Sequence, residues 1–218
     1  LSISNDTVVL QQLLNSNEKY LSVNLAGTAM RFLTAFLSIQ NTVIVLTGAQ
    51  RMKERPIKVL VDALRQLGAE ISYQEKEGYP PLKINGRKLA GNKVTIDGGI
   101  SSQYISALLM IGPELEDGLI LEFKGEIISK PYINMTIEMM HSFGANVQWE
   151  GNNLKVNPGN YKANNFTVEA DWSAASYWYS MVALAQDADI TLFGLKKESL
   201  QGDSVVQEIY KSFGVVTE

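Results

Sequence analysis

The chain has 218 residues, no cysteine and a formal net charge of −4, from 19 basic and 23 acidic side chains mixed along its length. The missing thiol excludes disulfides and thiolate nucleophiles. The charge balance argues against nucleic acid as the main partner but leaves room for a local anion site. No apolar run is long enough to span a bilayer and no basic-then-apolar leader opens the chain, so the default expectation is a cytoplasmic location away from membranes.

Taken in order, the first segment is "DTVVLQQLLNSNE", which reads as the closing helix of a unit that began earlier. With Leu1 in place of methionine, it raises the expectation that the chain was cut from something longer. "LSVNLAGTAMRFLTAFL" follows: a short strand, a small-residue turn and an apolar helix. Met30, Phe32, Leu33, Phe36 and Leu37 leave that helix no polar face, which predicts burial on all sides. Arg31 is the exception inside it. A helix N-terminus carries free N–H groups and partial positive charge, so Gly27 and Thr28 mark either a capped turn or an anion site. "TVIVLTG" is a β-rich run closed by glycine.

"GAQRMKERPIK" then places Arg51, Lys53 and Arg55 in a loop, with Pro56 suited to the first turn of the next helix. Arginine forks bind phosphate or carboxylate through two parallel bonds. A solvated charged loop, with Glu54 pairing locally, is the alternative. Ile57, Leu60, Val61, Leu64 and Leu67 recur at helical spacing, and Gly68 is a C-cap signal. A β run and the turn "EKEGYPP" complete the unit.

The same order then returns. "VTIDGGISSQYISALLM" repeats the strand, small-residue turn and apolar helix, and "LILEFKG" repeats the β run. "IISKPYIN" puts Ser129, Lys130 and Tyr132 where the first copy has "RMKERP". "HSFGANV" and "EGNN" close the second copy. "FTVEADWSAASYWYSMVALA", "ITLFG" and "KSFGVVT" open a third, which stops at Glu218 before its last turn and strand. The glycines Gly68, Gly144 and Gly214 recur roughly 70 residues apart, longer than solenoid periods. Each unit therefore reads as strand, helix, strand, helix, strand, turn, strand, with the amphipathic second helix half exposed. Apolar first helices inside and sheets outside explain this pattern, and the helix starts at Gly27-Thr28, Ser101-Ser102 and Ser173 could converge. His141, the single histidine, falls in the last turn of a helix, where the dipole accounts for it. No His/Asp/Glu metal cluster and no Walker-type glycine loop is present.

Together "AGTAMR", "RMKERPI", "LVDALRQLGA", "YPPL", "SSQYISALLM", "SKPYI" and "EADWSAASY" closely resemble the 5-enolpyruvylshikimate-3-phosphate synthase family, in its order and spacing. The resemblance implies an α/β fold of six βαβαββ units in two domains, with helices inside and sheets outside. It implies transfer of the enolpyruvyl group from phosphoenolpyruvate to the 5-hydroxyl of shikimate 3-phosphate, with release of phosphate and without metal or organic cofactor. The full-length enzyme is expected to be monomeric. Gly27, Arg51 and Gln103 would meet phosphoenolpyruvate. Ser101, Ser102, Gln103, Ser129 and Tyr132 would hold shikimate 3-phosphate. Thr28, Arg31, Arg55 and Asp171 would have supporting roles.

By the same resemblance, residues 1–168 form most of a first domain and 169–218 begin a second. The acid/base groups would lie outside the chain, so these residues alone are expected to be inactive. Two positions depart from the family pattern: Leu25 stands where asparagine is usual, and Phe32 where proline is usual. A UDP-N-acetylglucosamine enolpyruvyl transferase is the nearest alternative, but that family typically uses a loop cysteine. A non-catalytic repeat module is the alternative from another class, and it predicts no affinity for shikimate 3-phosphate.

Overall fold

The computed structural model describes residues 4–218. Helix α1 (Asn5–Leu14) precedes strand β1 (Tyr20–Ser22), α2 (Gly27–Ser38), β2 (Val43–Thr47), a single turn α3 (Gln50–Lys53), α4 (Lys58–Gln66), β3 (Glu70–Tyr73) and β4 (Leu82–Asn85). The order then repeats as β5 (Lys93–Asp97), α5 (Ser102–Ile111), β6 (Leu119–Lys124), α6 (Lys130–Ser142), β7 (Val147–Glu150) and β8 (Asn153–Val156). Helices α7 (Trp172–Leu184) and α8 (Val206–Lys211) complete the chain.

The two sheets have the same topology, β1-β2-β4-β3 and β5-β6-β8-β7. In each, the first pair is parallel and the other two are antiparallel. Alternation in the sequence sets which face of each strand is buried. In β6, Leu119, Leu121 and Phe123 point inward while Ile120 and Glu122 are only partly covered. Helix α2 packs against α5, and α5 against α6. Gly68, Gly144 and Gly214 all have φ between 81° and 95°. That left-handed conformation after a helix is nearly free of steric cost only for glycine, which explains the recurring "G" of the repeat.

The first inner helices behave largely as expected. Met30, Leu33 and Leu37 are buried in α2, and Ile105, Leu108 and Leu109 in α5. Phe36 is an exception at 40% exposed, so α2 has one open edge. Below Met30, Thr34 and Ser38 are buried and donate back to the carbonyls one turn earlier, at 2.7 Å each. The second helices are amphipathic: Leu60, Val61 and Leu64 of α4 face the core while Lys58 and Arg65 do not. Gln66 at the end of α4 reaches the outer edge of β5, where its Oε1 accepts from Thr95 N at 3.0 Å. It thereby satisfies a backbone donor that edge strands leave free.

The third copy departs from the sequence reading. The segments 165–170 and 190–194 form no strands, and the backbone bond between them runs from Ala170 N to Gly194 O at 2.9 Å. In the complete units the second strand is central, held by a parallel neighbour and an antiparallel one. In the third unit no further strand follows within the 218 residues, and a two-stranded ribbon is marginal by itself. Helix α7 is correspondingly open: Tyr177, Met181 and Leu184 are exposed. Trp172, Ala175, Tyr179, Val206 and Val215 form a small core separate from the main one.

Candidate functional site

The turn before α2 is built by Asn24, whose φ of 51° is tolerated by asparagine better than by most residues. Its carbonyl accepts from Ala49 N at 3.0 Å, tying the turn to the end of β2. The N-cap residue of α2 is Ala26, which offers no side-chain acceptor. The first N–H groups of α2 therefore have no partner among the described residues. That removes the cap reading for Gly27-Thr28.

Two guanidinium groups converge on this helix start. Arg31 is buried, and its Nη1 donates to Gly27 O at 2.8 Å. Its Cζ lies 5.7 Å from the centre of the Tyr104 ring. Arg55 comes from the segment after α3 and rests on Gly27. A Cβ at Gly27 would sit 2.3 Å from Arg55 Nη1 and 3.0 Å from Arg31 Nη1. Neither arginine has a carboxylate partner among the described residues. Of the two only Arg31 is buried, Arg55 being exposed; a buried cation without a countercharge carries an unfavourable desolvation term, which a bound anion would offset.

Helix α5 supplies the facing wall. Gln103 Nε2 donates to Thr28 Oγ1 at 3.2 Å, joining the starts of α2 and α5. Tyr104 donates to Pro56 O at 2.8 Å and so holds the Arg55 segment against α5. Ser101 caps α5, accepting from Gln103 N at 3.4 Å, and Ser102 is the first helical residue. Ser129 occupies the N-cap position of α6 without making a side-chain cap bond, so its hydroxyl remains available. The buried pair Ser106 and Thr136, 2.7 Å apart, fixes α6 beside α5.

The basic segment divides in use. Lys53 is bound to Glu75 at 2.6 Å, a bond that also raises its pKa. Glu54 pairs with none of the three bases, while Arg51 is exposed and unpaired among the described residues. The sequence reading of a loop here is corrected to one helical turn, and Pro56 precedes α4 rather than lying in its first turn.

Tyr132 lies in the first turn of α6. Burial raises its pKa first, and the nearby carboxylates of Asp203 and Asp171 act in the same direction. Asp171 caps α7, its Oδ1 accepting from Ser173 N at 2.8 Å. His141 Nε2 is 2.8 Å from Val147 O, a structural contact remote from these helix starts.

The structure thus brings Gly27, Thr28, Arg31, Arg55 and Gln103 together. Ser101 and Ser102 stand at the same helix start as Gln103, and Ser129 and Tyr132 share the start of α6. Two participants were missed in the sequence. Tyr104 adjoins Gln103 in "SSQY", a position that placed it near the site. Asp203 comes close to Tyr132 only through the fold. No group of acidic or histidine side chains suited to a metal occurs among the described residues, and no described helix is long and apolar enough to cross a membrane.

The family model for EPSP synthase (3-phosphoshikimate 1-carboxyvinyltransferase) matches residues 4–218. A curated 3-phosphoshikimate 1-carboxyvinyltransferase of Bacteroides fragilis is 52% identical over 219 residues, covering 100% of this chain and 53% of the relative. One from Haemophilus influenzae is 46% identical over 195 residues, covering 87% of this chain and 45% of the relative. The solved EPSP synthase of Acinetobacter baumannii superposes with a TM-score of 0.74 at 27% identity, covering 91% of this chain and 43% of that one. The chain spans about half the length of the curated relatives it matches. With the doubled βαβαββ architecture and a match along nearly its whole length, the chain belongs to the EPSP synthase (3-phosphoshikimate 1-carboxyvinyltransferase) family.

Proposed function

We propose that this chain supplies one wall of the substrate cleft in an enzyme of the shikimate pathway, and so of aromatic amino acid biosynthesis. The enzyme transfers the enolpyruvyl group of phosphoenolpyruvate to the 5-hydroxyl of shikimate 3-phosphate and releases phosphate. The observation that carries the reading is the start of α2, where two guanidinium groups without carboxylate partners meet an uncapped helix N-terminus. Such a site suits an anion, and Gly27 lets the Arg55 guanidinium lie against the helix start. Gly27, Arg51 and Gln103 take phosphoenolpyruvate, with Thr28, Arg31 and Arg55 shaping the field. Ser101, Ser102, Gln103, Ser129 and Tyr132 take shikimate 3-phosphate. Asp171 supports the second lobe.

The domain boundary belongs near residue 168, a placement supported by the separate core around Trp172 and Tyr179. The enzyme works in the cytoplasm, as a monomer, on small molecules rather than nucleic acid. Because the chain spans about half the length of its relatives, binding is assigned to these residues and turnover is not. Alone they hold neither both walls of a cleft nor the means to exclude water from it. The test is calorimetric titration of shikimate 3-phosphate into the chain and into a Ser102→Ala, Ser129→Ala double variant. A dissociation constant in the millimolar to high micromolar range, roughly −4 to −6 kcal/mol, is expected for the unmodified chain and a marked loss for the variant. Equal affinities would remove these serines from the site. Measurable phosphate release by the chain alone would overturn the division of labour.

A further inference from the structure

We propose that Tyr104 is the positioning residue for both guanidinium groups at the start of α2: its ring holds Arg31, and its hydroxyl holds the segment that carries Arg55. The inference rests on the reading of that helix start as an anion site. Tyr104 belongs to α5, so it reaches both arginines from the neighbouring unit. Arg31 Cζ lies 5.7 Å from the centre of its ring. The hydroxyl donates to the carbonyl of Pro56, the residue after Arg55, at 2.8 Å. Within its own unit the segment is tied on both sides of that carbonyl. Arg55 N donates to Met52 O at 3.1 Å, and Ile57 N to Gly78 O at 2.9 Å. Those two bonds set the local conformation of the segment. The Tyr104 bond sets its distance from α5, where Gln103 meets Thr28.

The kind of support matters as much as its place. A carboxylate beside Arg31 and Arg55 would order them and also cancel the charge an anion needs. A ring face attracts a cation through its quadrupole and brings no net charge. The carbonyls of Gly27 and Pro56 bring none either, and the Arg31 bond to Gly27 O uses only one of its five N–H donors. Tyr104 therefore orders both arginines and neutralises neither. Its hydroxyl bond lies at an exposed position, so water replaces the phenol when it is removed. What is lost is the placement of Arg55 rather than the fold.

The experiment labels arginine with 15N in the 218-residue chain and follows the Nε–H signals of Arg31 and Arg55, assigned through Arg31→Lys and Arg55→Lys. Tyr104→Phe removes the hydroxyl and keeps the ring; Tyr104→Leu removes both. Each chain is titrated with shikimate 3-phosphate alone, and with phosphoenolpyruvate in its presence. In Tyr104→Phe the Arg55 signal should move, the Arg31 signal should stay, and affinity for phosphoenolpyruvate should fall about two- to tenfold. In Tyr104→Leu both signals should move, with a further loss of about two- to fivefold. Affinity for shikimate 3-phosphate should hold in both variants, whereas a residue that merely braces the fold would weaken both ligands together. Equal phosphoenolpyruvate affinity in all three chains, equal loss of both ligands, or a loss without movement of the Arg55 signal overturns the proposal and leaves the anion site standing. If phosphoenolpyruvate moves neither arginine signal in the unmodified chain, the anion-site reading falls and the proposal falls with it.

Discussion

Replacing Gly27 by alanine separates the anion-site account from a purely structural one. The added methyl would stand 2.3 Å from Arg55 Nη1 and 3.0 Å from both Arg55 Cζ and Arg31 Nη1. All three are tips of long side chains rather than backbone: exposed Arg55 swings aside, buried Arg31 gives by only a few tenths of an ångström and keeps its bond to Gly27 O, and the helix stays. Gly27 is the first residue of α2 and needs no unusual φ. Alanine there is expected to change stability by roughly 0 to +1 kcal/mol in favour of the fold, so the melting temperature should hold or rise by a few degrees, at roughly 2–4 °C per kcal/mol. Ligand binding should behave differently. The methyl takes the space that Arg55 Nη1 fills and so displaces that guanidinium from the helix start where the anion would bind. Losing one charge-assisted bond costs about 1.5–3 kcal/mol, or roughly ten- to a hundredfold in affinity for phosphoenolpyruvate. The assay pairs thermal unfolding with titration of phosphoenolpyruvate in the presence of shikimate 3-phosphate. A variant that melts at least 5 °C lower, by the conversion above, and keeps its affinity would refute the reasoning, because Gly27 would then be needed for the fold and not for the ligand.

Three further outcomes follow from packing and charge. Leu108→Ala, at a fully buried position of α5, should destabilise by about 2–5 kcal/mol, whereas Leu184→Ala, 88% exposed on α7, should stay within about 0.5 kcal/mol; similar losses at both would mean that α7 is covered in solution. Ser106→Ala leaves Thr136 with its bond to Tyr132 O at 3.1 Å, so chemical denaturation should register only about 0.5–1.5 kcal/mol. Burial raises the Glu169 pKa, but hydrogen bonds from Ser199, Lys196 N, Trp172 and Gln201 outweigh it and leave the group below its ordinary value of 4.5. Its contribution is therefore present above 4.5 and lost as pH falls through the lower folded value, so Trp172 fluorescence should report acid loosening of the α7 segment in the unmodified chain and not in Glu169→Gln.

Much of the fold was legible because local chemistry and tertiary demand agree. The recurring glycines mark left-handed C-caps at positions where most residues would be strained. The β-rich runs "TVIVLT" and "LILEFK" became the central strands of two sheets of the same topology, each with partners on both sides. "ITLFG" has the same β-rich composition and no sheet, because composition favours an extended backbone and cannot supply the neighbour to pair with. Phe36 shows a similar limit: apolar character all round α2 does not tell which edge the other elements leave open.

The site was legible to the extent that it is local. Gly27, Thr28 and Arg31 share one helix turn, and Arg51 and Arg55 share one short segment. Which of those bases faces Gly27 was not readable. Lys53 is drawn off by Glu75, which lies in the turn after β3. Tyr104 and Asp203 act on residues 48 or more positions distant in sequence, through Pro56 and Tyr132 respectively, and no spacing rule reaches that far.

The central claim is that the starts of α2, α5 and α6 form one substrate surface. An amide shift map of the 15N-labelled chain, recorded with shikimate 3-phosphate and then with added phosphoenolpyruvate, tests it most directly. The account predicts that the first ligand moves Ser102, Gln103, Ser129 and Tyr132, and that the second adds Gly27, Thr28 and Arg31, with His141 unmoved. Shifts clustered on α7 and α8, or none at millimolar ligand, would contradict it.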